Sequence, residues 1–344
     1  MKRHGNTLYV TTQGAYLARS GQCLVVRVDR EERLRLPVHT LGGVVCFGRV
    51  SCSPPLMGFC AEQGVAVSFL SLHGRFLARV VGPAFGNVLL RREQYRWADD
   101  VDGQAARIAR AMVAGKVAGA RSVLLRSARD HAEKVDASAI AGAARRLAQG
   151  LETLRTDLPL DRVRGEEGDA ARIYFGAFDH LITEQKEAFA FRGRNRRPPR
   201  DPANALLSFV YALLLHDCRS ALESVGLDPG VGFLHRDRPG RPGLALDLME
   251  EFRPVIADRL VLSLINRRQV GPKGFRIGET GAARMDDATR KTVLVAYQKR
   301  KQDETTHPFL GDRTTVGLLP HLQAMLLARH IRGDLDAYPA FIWR

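Results

Sequence analysis

The sequence is short of the features that mark several common protein classes. Its five cysteines, Cys23, Cys46, Cys52, Cys60 and Cys218, are odd in number and form neither a CxxC pair nor a Cys/His zinc spacing. This excludes a disulfide framework and a zinc ribbon, and leaves reduced core thiols. No GxGxxG or Walker-type phosphate loop follows any strand-like run, which argues against nucleotide-driven chemistry. No stretch approaches about 18 uninterrupted apolar residues, and the charged start MKRHGNTLYV leads into no apolar signal core. A cytoplasmic protein without a membrane partner is therefore expected. Acidic residues are also in deficit: Asp and Glu number 37 against 52 Lys and Arg, a formal charge of +15. Arginine supplies most of the excess, and its planar fork suits phosphate, so the expected partner is a polyanion, with nucleic acid first in line.

What is present divides into two patterns across the 344 residues, of which 45% are hydrophobic, as in an ordinary globular protein. Residues 6 to 82 read as short, often β-branched strands at Thr7 to Thr11, Ala15 to Ala18, Cys23 to Val28, Arg33 to Pro37, Gly43 to Phe47, Val65 to Leu70 and Arg75 to Val80. Turn signals such as Gln13-Gly14, Ser20-Gly21 and His73-Gly74 separate them, and one short helix fits Pro54 to Gln63. From about Asn87 the pattern turns helical, with segments expected at 88–98, 103–128, 137–154, 168–190, 203–225, 244–270, 286–302 and 315–332. Within 103–128, Arg107, Arg110, Lys116, Arg121 and Arg126 read as a solvated helix face. The expected fold is α+β: a small β-sandwich-like N-terminal domain over 1–86, supporting and dimerising, and a larger all-α catalytic domain over 87–344.

The densest chemistry lies in Gly232 to Pro254, GFLHRDRPGRPGLALDLMEEFRP. His235 ends an apolar step and precedes a loop whose prolines and glycines forbid regular helix. Helix resumes at Leu244, and there Asp247 lies three residues from Glu250 and four from Glu251, so it can share a face with either. These acids are interleaved with Leu244, Leu246, Leu248, Met249 and Phe252, so at least one faces a partly buried environment and needs a cation. Arginine supplies one; a divalent metal held by imidazole and carboxylate, manganese or magnesium, is the other. A second acidic element, Arg164-Gly165-Glu166-Glu167-Gly168, reads as a helix start whose glycines allow close backbone approach, offering a third ligand from afar. Between them, Arg192 to Pro202, RGRNRRPPRDP, gathers Arg192, Arg194, Arg196, Arg197 and Arg200 with three prolines, a stiffened basic loop suited to a phosphate backbone. Tyr211, on the next helix, is a core aromatic by spacing alone.

In combination, GxEGxxARxYF at 165–175, DPANxLLSxxY at 201–211, GFLH at 232–235 and LDLMEEFRP at 246–254 resemble the universal CRISPR-associated spacer integrase, the nuclease of CRISPR adaptation. The order of the motifs matches along essentially the whole chain. NTLYVTTQGAYL, LPVHTL, VCFGRVSCSPPLMGFCAEQGVAVSFL and HGRFLARVVGP are similar to the branch of subtype I-C systems. The resemblance implies a β-rich domain joined to a helical catalytic domain, working as an asymmetric homodimer. It implies metal ligands at Glu167, His235 and Glu250, with Asp247 behind them, and Tyr211 and Arg253 beside the reaction centre. Glu250 stands where some relatives have aspartate, a longer arm of the same chemistry.

The implied function is metal-dependent insertion of short double-stranded DNA fragments into CRISPR repeat DNA, by attack of a 3′ hydroxyl on a phosphodiester, with DNA cleavage when water attacks instead. The implied cofactor is Mg2+ or Mn2+. The implied partners are a small second CRISPR-associated protein and, as a further candidate, a CRISPR-associated fragment-processing nuclease. Two other readings fit the same residues: a structure-specific DNA repair nuclease, and a non-catalytic DNA-binding scaffold in which the acids cap helices and balance arginines.

Overall fold

The computed structural model describes residues 6–72, 76–82 and 88–343. The expected His73-Gly74 turn, Arg75 and the 86/87 domain boundary lie outside the described residues. Close contacts group Met1–Phe85 with Leu294–Lys299 in one unit, and Gly86–Val293 with Arg300–Arg344 in a second.

The first unit contains β1 (Asn6–Val10), β2 (Tyr16–Ser20), β3 (Cys23–Val28), β4 (Glu31–Pro37), β5 (Leu41–Phe47), β6 (Ser51–Cys52), helix α1 (Pro54–Glu62), β7 (Ala66–Leu70) and β8 (Phe76–Arg79). Among the described residues these make two four-stranded sheets, ordered β1-β5-β7-β8 and β4-β3-β2-β6. The first is parallel through β1, β5 and β7, with β8 antiparallel at its edge. The second is an antiparallel meander of β2, β3 and β4, to which β6 adds in parallel. Leu17, Leu24 and Val26 of one sheet and Val44, Cys46 and Val67 of the other belong to a single apolar core. Helix α1 starts where it does because Ser53 caps it, its side chain accepting from the Leu56 N–H, and because Pro54 suits the first helical turn.

The second unit is built from α2 (Val88–Asp99), α3 (Ala106–Asp130), α4 (Ala137–Thr153), α5 (Leu160–Ala177), α6 (Pro202–Ser224), α7 (Gly243–Glu250), α8 (Arg259–Asn266), α9 (Asp287–Gln302, shared with the first unit) and α10 (Leu319–Ile331). The pattern expected from sequence, β-rich and then helical, is the one observed. Two short hairpins also interrupt the helical part: β9 (Phe275–Ile277) with β10 (Ala283–Met285), and β11 (Glu304–Thr306) with β12 (Arg313–Thr315). By length and composition α6 would pass for a membrane span, but Leu206, Leu207, Val210, Leu213 and Leu214 are buried within the protein, as in a core helix.

Two expected helices differ from those observed, and both differences bear on the site. The segment expected at 168–190 begins eight residues earlier, at Leu160 just after Pro159, and leaves regular helix at Ala177. Glu166 and Glu167 therefore stand in the second turn, so dipole stabilisation at a helix start, which acts within the first turn, is not their role. Beyond Ala177 a single 3-10 turn, Phe178–Leu181, ends the helix, and Asp179 Oδ1 folds the chain back by accepting the Phe191 N–H at 2.7 Å, with Phe178, Leu181, Ile182, Phe189 and Phe191 buried. The single helix expected over 244–270 is broken after Glu250. A wider π turn, Arg253–Asp258, separates α7 from α8. Pro254 is the cause: it has no N–H for the i−4 carbonyl, that of Glu250, and its ring crowds that position.

Candidate metal and phosphodiester site

The site lies in the helical unit, where α3, α5, α7 and the Gly232–His235 turn meet. On α5, Val163, Ala170, Tyr174 and Ala177 form the buried stripe. Glu167 falls four residues after Val163 and three before Ala170, so it shares that stripe. Glu166 is turned toward α4, with Oε2 3.8 Å from where a Cβ on Gly150 would stand. On α7 both Asp247 and Glu250 are buried.

His235 is held by Asp247. The carboxylate accepts the backbone N–H groups of Phe233 at 2.6 Å, Leu234 at 2.9 Å and His235 at 3.0 Å, and its Oδ1 lies 2.5 Å from His235 Nδ1. A carboxylate at Nδ1 fixes the proton there, which leaves the Nε2 lone pair free as a ligand. That Nε2 lies 4.0 Å from Glu250 Oε1. The turn's chain path depends on close backbone approach: Gly243 N–H donates to Gly230 C=O at 3.0 Å, and a Cβ on Gly232 would stand 2.6 Å from Asp247 Oδ2 and 2.7 Å from the Gly243 carbonyl carbon. Arg164 ties the turn to α5, its Nε donating to the Leu234 C=O at 2.7 Å.

The cation facing these acids is one that the sequence reading put on a solvated face. Lys116 of α3 is buried, and its ammonium contacts both Glu167 Oε1 and Glu250 Oε2, the latter at 2.8 Å. Arg253 adds a second positive charge, Nη1 lying 2.9 Å from Glu250 Oε1. Burial alone would raise the Glu250 carboxyl, but Arg253, Lys116 and His235 outweigh it and hold it at about 2. Burial likewise opposes the charge on Lys116, and the facing Glu250 and Glu167 raise it in spite of that. Among the described residues no three His, Cys, Asp or Glu side chains are gathered closely enough to hold a metal ion as they stand; the ammonium lies between two of them.

Beside this cluster, Tyr211 donates to Asp258 Oδ1 at 2.6 Å, and the guanidinium carbons of Arg253 and Arg194 lie 5.1 and 5.3 Å from its ring centroid. Asp258 is buried, which pushes it up to about 6 against the pull of Tyr211, Tyr174, Arg194 and Arg253. Glu251 is turned away from Glu250 and buried. It accepts from Tyr338 Oη at 2.5 Å, Gln323 Nε2 at 2.9 Å and the Phe341 N–H at 2.5 Å, anchoring the C-terminal segment.

The structure thus brings Glu167, His235, Asp247, Glu250, Arg253 and Tyr211 into one region. The five arginines of the 192–202 loop do not act alike. Arg192, Arg196, Arg197 and Arg200 are exposed. Arg194 is turned inward, Nη1 bonding Asn204 Oδ1 at 2.6 Å and Nη2 bonding Ser208 Oγ at 3.1 Å, so its donors are engaged within the protein. Sequence reasoning missed Lys116, Arg164 and Asp258. Only Lys116 left a signal: a single lysine at the centre of an Ala- and Gly-rich helix stretch, Ala114-Gly115-Lys116-Val117-Ala118-Gly119.

By fold, the chain pairs a β-sheet unit with a helical one, an arrangement found in solved structures. It superposes on a CAS1 protein from Thermotoga maritima with a TM-score of 0.81 at 22% identity, covering 96% of this chain and 98% of that one. On a casposase bound to its integration product the TM-score is 0.83 at 23% identity, covering 98% and 94%. Sequence carries the assignment further. Residues 8–299 match the family model described as CRISPR associated protein Cas1. The CRISPR-associated endonuclease Cas1 1 of Chlorobaculum tepidum is 58% identical over 344 residues, all of both chains. The chain belongs to the Cas1 family, and with it to the nucleases of CRISPR adaptation.

Proposed function

We propose that this protein inserts short double-stranded DNA fragments into CRISPR repeat DNA by attack of a fragment 3′ hydroxyl on a phosphodiester, and cleaves DNA when water is the nucleophile. The observation that carries the reading is the convergence of two carboxylates from distant helices, Glu167 and Glu250, on one cation beside an imidazole nitrogen 4.0 Å from Glu250. That donor set, carboxylate oxygens and a neutral imidazole, suits Mg2+ or Mn2+. A gap of 4.0 Å between Nε2 and Oε1 is one that a single ion with bonds of about 2.0–2.2 Å can span. Glu250 Oε2 also makes its charge contact with Lys116 without a well-aligned hydrogen bond, so its lone pairs are poorly used.

Glu167, His235 Nε2 and Glu250 would hold the ion, which when bound supplies Lewis-acid polarisation of a phosphoryl oxygen and steadies the attacking and leaving oxygens. Asp247 keeps the His235 proton on Nδ1 throughout. Arg253, fixed by Glu250 and stacked by Tyr211, places a positive charge where negative charge grows on the phosphate. The exposed Arg192, Arg196, Arg197 and Arg200 hold the DNA backbone on a loop stiffened by Asn195, which bonds Asp201 and the Arg200 N–H.

We assign the chain to the subtype I-C branch, with residues 1–86 forming the homodimer contact, 87–344 the catalytic domain, and a small second CRISPR-associated protein completing the integration complex. A fragment-processing nuclease would act upstream. The test is His235→Ala in a strand-transfer assay with Mn2+. Product should disappear while DNA affinity, which rests on many phosphate contacts, stays within a few fold. Wild-type rates of strand transfer by the variant, or strand transfer by the wild-type protein in chelator, would refute the assignment.

A further inference from the structure

Lys116 is a buried ammonium on two of the three side chains that the reading above gives to a metal, Glu167 and Glu250, and this inference rests on that reading. Lysine is seldom buried, and here it is 8% exposed within an apolar helix face formed by Met112, Val113, Val117 and Ala120. Its chain crosses that face to reach two carboxylates that come from different helices, α5 and α7. Without an opposing charge, Glu167 and Glu250 would repel each other across a desolvated gap. Arg253 makes its ion pair with Glu250 Oε1, on the side toward His235, and acts on Glu167 only through its charge. Lys116 instead meets Glu250 at the other oxygen, Oε2, and Glu167 at Oε1. The ammonium is a compact point charge on a flexible four-carbon stem, able to withdraw, whereas an arginine fork at this place would lock both acids by directed hydrogen bonds.

We propose that Lys116 is a built-in counter-ion that keeps the two acidic ligands converged in the metal-free protein and competes with the divalent ion for them. In the metal-free state it stabilises the gathered site. When the ion binds, the lysine gives up at least one carboxylate, because a singly charged ammonium and a divalent cation held on the same two carboxylates repel each other. Lys116 is thereby a positioning residue that weakens the protein's hold on metal while preorganising the ligands for it. Ammonium and metal oppose one another reciprocally: whatever strengthens one contact weakens the other.

The test compares wild type with Lys116→Met, a replacement of similar length and no charge, by Mn2+ titration followed by the electron paramagnetic resonance of free Mn2+, together with thermal unfolding with and without Mn2+. The variant should bind Mn2+ at least about tenfold more tightly. It should be less stable than wild type without metal and gain more from Mn2+ than wild type does. Equal or weaker Mn2+ binding by a folded variant would overturn the proposal. A second measurement uses the wild-type protein alone: amine-selective labelling of Lys116, read by mass spectrometry, should be slow without metal and at least several-fold faster in saturating Mn2+. Unchanged labelling at demonstrated Mn2+ saturation would overturn the proposal even if the variant failed to fold. If neither wild type nor variant binds Mn2+, the metal reading itself falls; if both bind it equally, only the role given to Lys116 falls.

Discussion

Replacing Asp247 by asparagine changes one oxygen to an amide and tests how the histidine is presented. In the native protein Oδ2 accepts from the Phe233 and Leu234 N–H groups at 2.6 and 2.9 Å, and Oδ1 accepts from the His235 N–H at 3.0 Å and lies 2.5 Å from Nδ1. Asparagine keeps one acceptor oxygen. If that oxygen stays on the backbone pair, the amide N–H2 meets His235, clashes with its N–H and donates to Nδ1, which moves the ring proton to Nε2. If the amide turns over, it faces two buried N–H donors instead. Either way two hydrogen bonds to a charged acceptor are lost, at about 1.5–3 kcal/mol each. Relaxation of an otherwise unchanged turn recovers part of this, so Asp247→Asn should destabilise the protein by ~3 kcal/mol in urea unfolding. Misdirected support of a metal-binding histidine costs about 10–100-fold in affinity or activity, which Mn2+ titration and strand transfer would both register. The reasoning fails if the variant matches wild type in its urea midpoint and in Mn2+ affinity.

Glu251 offers a pH test whose sign is fixed by burial. Its carboxyl is pushed from the ordinary 4.5 to about 8 by burial, against the donors Tyr338, Phe341 N–H and Gln323. Between those two values the native state keeps a proton that the unfolded chain has lost, so this group's contribution makes stability fall as pH rises through the window. Glu251→Gln, which cannot ionise, should lie close to wild type near pH 4.5 and become more stable than it by a few kcal/mol toward pH 8; parallel stability curves would contradict this. For the basic loop, replacing Arg196, Arg197 and Arg200 together by alanine should lower the slope of log affinity against log salt by roughly 2–3, at about 0.9 per lost duplex phosphate contact. An unchanged slope in filter binding would remove the loop from the DNA path. Arg194 is left out because its donors are bound inside the protein.

The strands and most helix limits were legible because their signals are local. Cys23–Val28 is a β-branched run between turn signals, and Asp201 and Asp286 mark the starts of α6 and α9 by capping them. That His235 stands near the acids of the next helix was legible for a related reason, since one loop joins them; that Asp247 is the acid behind it came from the family resemblance. What escaped depends on distant parts of the chain. Gly165 and Gly168 suggested a helix start, yet α5 runs through both, since its packed stripe of Val163, Ala170 and Tyr174 outweighs two weak helix formers. Pro254 was visible but was read through, and the break it causes turns Asp258 toward Tyr211. Lys116 looked like any surface lysine, because the carboxylates it meets lie far along the chain, Glu167 being 51 residues away and Glu250 further still.

The pinch between Gly230, Gly232 and Gly243 also separates what can change in this region from what cannot. Below it, Asp247 grips the three consecutive N–H groups that end at His235; above it, Arg236 to Gly240 project into solvent. Chain closed at its base transmits little of what happens at its tip, so the loop can gain, lose or exchange residues while the imidazole stays where it is. The tip carries Arg236, whose Nη2 lies 3.3 Å from Asp161 Oδ1, and Arg238, the kind of residue that meets a polyanion. In evolutionary terms, the exposed tip is free to drift on a foundation that tolerates almost no change.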